Sequence, residues 1–63
     1  MSKFSRFNYE CQEIAENNPF SSAEEIRQLV KEEFKKRPLL INQAYVTVLS
    51  HQMAIKFDME NVA

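Results

Sequence analysis

AYVTVL, residues 44–49, is the hexapeptide whose reading decides between two folds. Val46, Thr47 and Val48 are β-branched, a type favoured on pleated strands. Taken alone, residues 45–49 make a short strand and the chain is α+β. The flanks argue for a helix. Apolar residues continue at helical spacing through Met53 to Phe57, and no turn-forming pair nearby offers a strand partner. Asn42 stands where a helix cap belongs. The hexapeptide therefore predicts the first half of a helix over about 42–59, entered through the apolar connector Leu39-Leu40-Ile41.

Upstream lies a second helix over 22–37. Ser22 with Glu25 fits a capping box, and so does Ser21 with Glu24 one residue earlier. Ile26, Leu29, Val30 and Phe34 form its apolar stripe. Glu24 and Glu25 in the first turn, with Lys35, Lys36 and Arg37 in the last, complement the macrodipole. Glu32 with Lys36 and Glu33 with Arg37 are spaced as i, i+4 ion pairs. Pro38 ends the helix.

A first helix is expected over 4–16, where Phe4, Phe7, Cys11, Ile14 and Ala15 share one face. Ser2, Ser5 and Asn8 are alternative caps for its start. Asn17 and Asn18 close it, asparagine being the best residue after glycine for a left-handed helix end. Pro19 turns Asn18 away from helical geometry, and Phe20 is expected to dock near Ile26. Asn18-Pro19-Phe20 resembles the tripeptide that EH domains take as a ligand in endocytic proteins. Set between two helices, it reads instead as an interhelical turn made without glycine.

The result is a small all-α three-helix domain spanning 1–63, with the third helix most central. That helix carries two apolar stripes. Tyr45, Val46, Leu49, Met53 and Phe57 form one; Val48, Ile55 and Met59 form the other. An arc this wide implies packing on two flanks. Residues Val48, Ile55 and Met59 are the expected contact surface for another chain, with Tyr9 as a peripheral aromatic on the first helix.

Composition excludes many functions. The chain has 63 residues and opens on Met1, consistent with one complete small protein. Eight basic and nine acidic residues leave a net charge of −1, so no large single-sign field attracts nucleic acid. Glycine is absent, which removes the phosphate-cradling loops of the common nucleotide-binding motifs. One Cys and one His rule out an intrachain disulfide and a structural zinc site. No apolar leader and no run near the roughly 20 residues that cross a bilayer is visible, so the expected setting is cytoplasmic.

No catalytic constellation emerges. Cys11 sits on an apolar stripe, where free cysteine packs as a small hydrophobe. His51 lies on the polar side of the third helix. Adjacent glutamates on a helix do not face each other, so Glu24-Glu25 and Glu32-Glu33 are not acid/base pairs. No enzyme activity, cofactor, metal or small-molecule substrate is expected.

The expected function is that of a small cytoplasmic interaction protein, a regulator, adaptor or inhibitor that docks on another protein or on itself. A helix-turn-helix DNA-binding regulator is the alternative, with residues 42–56 as recognition helix. Asn42, Gln43, Thr47, Ser50, His51 and Gln52 would then face base edges, and Lys36 and Arg37 the phosphates. Against it stand a connector longer than the usual turn and a lone cation, Lys56, on that helix.

Overall fold

The computed structural model describes the backbone of residues 3–61 and the side chains of 5–60. Ser2 and the side chain of Phe4 lie outside the described residues. Helix α1 spans Lys3–Asn17, α2 spans Ala23–Glu33 and α3 spans Ile41–Asn61, with a 3₁₀ turn at Pro38–Leu40 before α3. The architecture is all-α, and no strand occurs among the described residues. AYVTVL lies inside α3, so the strand alternative at 45–49 is corrected. A single strand with no partner leaves its backbone groups unpaired, whereas a helix satisfies them within itself.

The core is built where the three apolar stripes meet. Phe7, Cys11 and Ala15 enter from α1, Ile26, Val30 and Phe34 from α2 and its end, and Ala44 and Val48 from α3. Both shorter helices pack on α3, as expected for the central element. The rings of Phe7 and Phe34 meet edge to face, 5.8 Å between centroids and 66° apart. Fully burying side chains such as Ile26, Val30 and Phe34 stabilises by about 1.5–3 kcal/mol each.

Helix α2 stops earlier than its charge pattern predicts, at Glu33 rather than 37. The break falls at Phe34. Its ring is buried, its N–H still donates to Val30 O, and its backbone has left the helical region at φ −108°, ψ 19°. Arg37 N–H then donates to Phe34 O at 2.8 Å, and Leu40 N–H to Arg37 O at 2.9 Å, bending the chain into α3. Because the helix is already over, Lys31 is the basic residue of its last turn. Glu32 pairs with Lys35 at 3.6 Å instead of Lys36. Arg37 reaches Glu10 of α1 at 3.1 Å instead of Glu33. Helix α3 continues directly from the 3₁₀ turn at Ile41, so Asn42 lies within it and is not its cap.

The α1–α2 turn is also made differently from expectation. Among the described residues none with a side chain adopts positive φ. Asn18 instead caps α1 through its side chain, donating from Nδ2 to Ile14 O at 2.9 Å. Its carbonyl accepts from Ser21 N–H at 3.4 Å, closing the turn over Pro19 and Phe20. Phe20 points outward, 73% exposed, and does not dock near Ile26. Of the two capping registers the serine at 22 is used: Glu25 N–H donates to Ser22 Oγ at 3.2 Å, and Ser22 N–H to Glu25 Oε1 at 3.0 Å.

Candidate protein-interaction face

The two stripes of α3 are assigned to opposite environments, and the assignment reverses the sequence expectation. Val48 is fully buried, and Ile55 is half-buried against the core. Val48 is thus a core residue and cannot meet a partner while the fold is intact. Met59 shares their side of the helix, but it lies past the cover that α1 and α2 provide and stays exposed. The other stripe faces out: Val46 is 60% exposed, Met53 71% and Phe57 65%. Tyr45 and Leu49, at the edges of that stripe, pack partly on the core.

The reversal has a steric cause. Ala44 and Val48 present small side chains at the centre of the buried face, which lets α1 and α2 approach the α3 backbone closely. Turning α3 to bury the other stripe would bring Tyr45 and Leu49 to that level, larger side chains that would hold the helices apart. Tyr45 is covered from the flank, with the Arg27 guanidinium 5.4 Å from its ring centroid, a cation–π distance.

Residues 56–60 of α3 are all exposed, so the last turns of this helix stand clear of the body of the protein. Tyr9 is exposed on the side of α1 opposite Phe7 and Cys11, and is therefore turned away from α3.

Gln52 is the residue that sequence reasoning misplaced most. It falls next to the polar side of the helical wheel, yet it is 3% exposed. Its Nε2 donates to Asn18 O at 2.7 Å and to Ser21 O at 3.1 Å, bridging α3 to both ends of the interhelical turn. A signal was available: a single amide interrupts the Val48–Ile55 face, and such a residue needs a backbone partner when buried.

The residues of the DNA-binding alternative are scattered in their roles. Asn42, Gln43 and Ser50 are exposed, Thr47 and His51 half-buried. Thr47 Oγ1 donates to Gln43 O at 2.7 Å and Ser50 Oγ to Val46 O at 3.0 Å, so both hydroxyl protons are already used inside the helix. Arg37 is held by Glu10 and lies 4.6 Å over the Phe34 ring, leaving Lys36 beside it as the unclamped cation of that pair.

Cys11 is fully buried, and burial pushes its thiol up to about 11, with the Glu10 carboxylate adding to the shift. A thiol held protonated is a poor nucleophile. Glu25 is shifted down by the backbone and side-chain hydrogen bonds of the Ser22 cap. Among the described residues no group of three or more His, Cys, Asp or Glu side chains converges as a metal site. No described helix is long and apolar enough to cross a membrane. The groove between α1 and α2, floored by Ile14 and Leu29 and rimmed by Glu10, Glu13 and Glu33, is open to solvent.

No protein-family model, no curated protein and no solved structure matches the chain.

Proposed function

We propose that this chain is a small, cytoplasmic, non-enzymatic interaction protein that works by docking the outer face of α3 onto another polypeptide. The observation behind this reading is the outward stripe of Val46, Met53 and Phe57, three large apolar side chains each more than half exposed. They recur at spacings of seven and four residues, so they lie on one side of the helix rather than scattered singly. Contiguous exposed apolar surface on a small protein usually marks a contact site. Aromatic residues and methionine are enriched at the centres of such contacts.

A photo-activatable benzoylphenylalanine at position 53 tests this in the host cell. Covalent adducts are expected from position 53 and not from position 31, on exposed α2 surface. Equal labelling at both positions, or none at either, would count against the docking face.

A further inference from the structure

We propose that the polypeptide covering this face is a second copy of the same chain, paired antiparallel along α3 about an axis level with residues 50–53. The inference rests on the docking-face reading and names its occupant.

The first support is area. A compact monomer of 7.4 kDa is expected to expose about 4200 Å². This chain exposes 4936 Å² and is drawn out to 41 × 28 × 15 Å. The excess is close to the roughly 800 Å² that each partner buries in a standard interface. Helix α3 runs for 21 residues, and its residues 56–60 are all exposed. A long, nearly flat helical edge suits another helix better than a compact ligand.

The second support is self-complementarity. Val46, Ser50, Met53 and Phe57 follow one another at steps of four, three and four, the alternation of a two-helix seam. A two-fold axis maps a patch onto itself, so large residues must meet small ones within the same patch. In the antiparallel register each Met53 lies over the notch at the partner's Ser50, and each Val46 lies against the partner's Phe57. Ser50 tolerates that position because its hydroxyl already donates to Val46 O at 3.0 Å. It therefore brings no unsatisfied donor into the contact.

Charge selects the direction. Lys35 and Lys36 precede the N-terminal end of α3, whereas Asp58 and Glu60 lie near its C-terminal end. Antiparallel pairing brings opposite ends, and opposite helix dipoles, together. Parallel pairing stacks like on like. Lys56 falls opposite Thr47 in this register and meets no second cation.

Light scattering on the purified chain, from low micromolar to high micromolar concentration, is expected to give a mass approaching two chains. Met53→Glu is expected to return it to one, with unchanged helical circular dichroism because Met53 makes no part of the core. For direction, equal amounts of Val46→Cys and Phe57→Cys chains are mixed and oxidised; buried Cys11 stays out of the reaction. Mass spectrometry should find mainly the mixed disulfide. A single-chain mass throughout, a dimer indifferent to Met53→Glu, or a predominance of like-with-like disulfides each overturns the proposal. A single-chain mass alongside position-53 adducts to some other protein overturns it while leaving the docking face intact. A single-chain mass with no adducts overturns both.

Discussion

The side-chain amide of Gln52 and the main-chain carbonyl of Asn18 lie 2.7 Å apart across thirty-four residues of sequence. The same nitrogen reaches Ser21 O at 3.1 Å, so one buried donor from α3 holds both ends of the turn that joins α1 to α2. That turn contains no glycine, and Asn18 and Ser21 are linked directly only by one long hydrogen bond of 3.4 Å. Gln52 supplies the long-range tie.

Replacing Gln52 by Leu keeps the volume but strips the donor from two partly buried carbonyls. The expected cost is about 1–3 kcal/mol in urea unfolding. Gln52→Glu should be worse near neutral pH, where a carboxylate would face two carbonyl oxygens. It should recover partly at pH 4, where a protonated carboxyl offers one O–H donor. Amide exchange at Ser21 should speed up in both variants; unchanged exchange and unchanged stability would show that the tie is dispensable.

The cap of α2 separates its two serines. Ser22→Ala removes the oxygen that accepts from Glu25 N–H and should cost roughly 0.5–2 kcal/mol. Ser21→Ala should stay within about 0.5 kcal/mol, since its carbonyl, the group that Gln52 uses, remains. The Glu25 carboxyl titrates below its ordinary 4.5 in the folded chain. Its contribution is therefore present above that value and is lost as pH falls through the lower folded value. Glu25→Gln should flatten this acid limb of the stability curve.

Cys11 shapes the alkaline limb. Its thiol ionises near 9.0 when unfolded and at about 11 when folded. The folded state holds the proton more tightly, so stability is complete below pH 9 and declines as pH rises from there toward 11. Cys11→Ala should lower stability at pH 7 but remove this part of the alkaline slope. In the parent chain a thiol reagent at pH 8 should react slowly until denaturant is added.

The rotation of α3 about its own axis can be checked with two neighbouring valines. Val48→Asp should unfold the chain, because it places an unpaired charge in the core. Val46→Asp should leave a single chain folded. A parallel contrast holds for two phenylalanines: Phe34→Ala should cost about 3–5 kcal/mol. Phe20→Ala should cost under about 0.5 kcal/mol. If Val46→Asp unfolded the chain and Val48→Asp did not, α3 would be turned the other way round.

Much of this fold is readable from local patterns. The 3.6-residue recurrence of Phe7, Cys11 and Ile14 marks α1. The overlapping Ser21–Glu24 and Ser22–Glu25 capping boxes place the start of α2 to within one residue, and the stripe running on to Phe57 makes AYVTVL helical despite its β-branched residues. These features depend on neighbours within a turn or two, so the chain carries them on its own. The end of α2 is local as well, since Pro38 bars a helix through Phe34, four residues before it. Where the freed residues go is not: Phe34 packs against Phe7 and Arg37 pairs with Glu10. The environment of Gln52 likewise exists only once Asn18 and Ser21 have been brought to it.

The candidate face shows the same division. An apolar arc wrapping more than half of α3 states that two flanks want cover, and the periodicity is equally satisfied by either as the core. Tertiary packing chose Ala44 and Val48 for the inside because small side chains let two helices come close, leaving Val46, Met53 and Phe57 outside. Periodicity counts apolar residues around a helix; close packing weighs their sizes against those of the helices opposite.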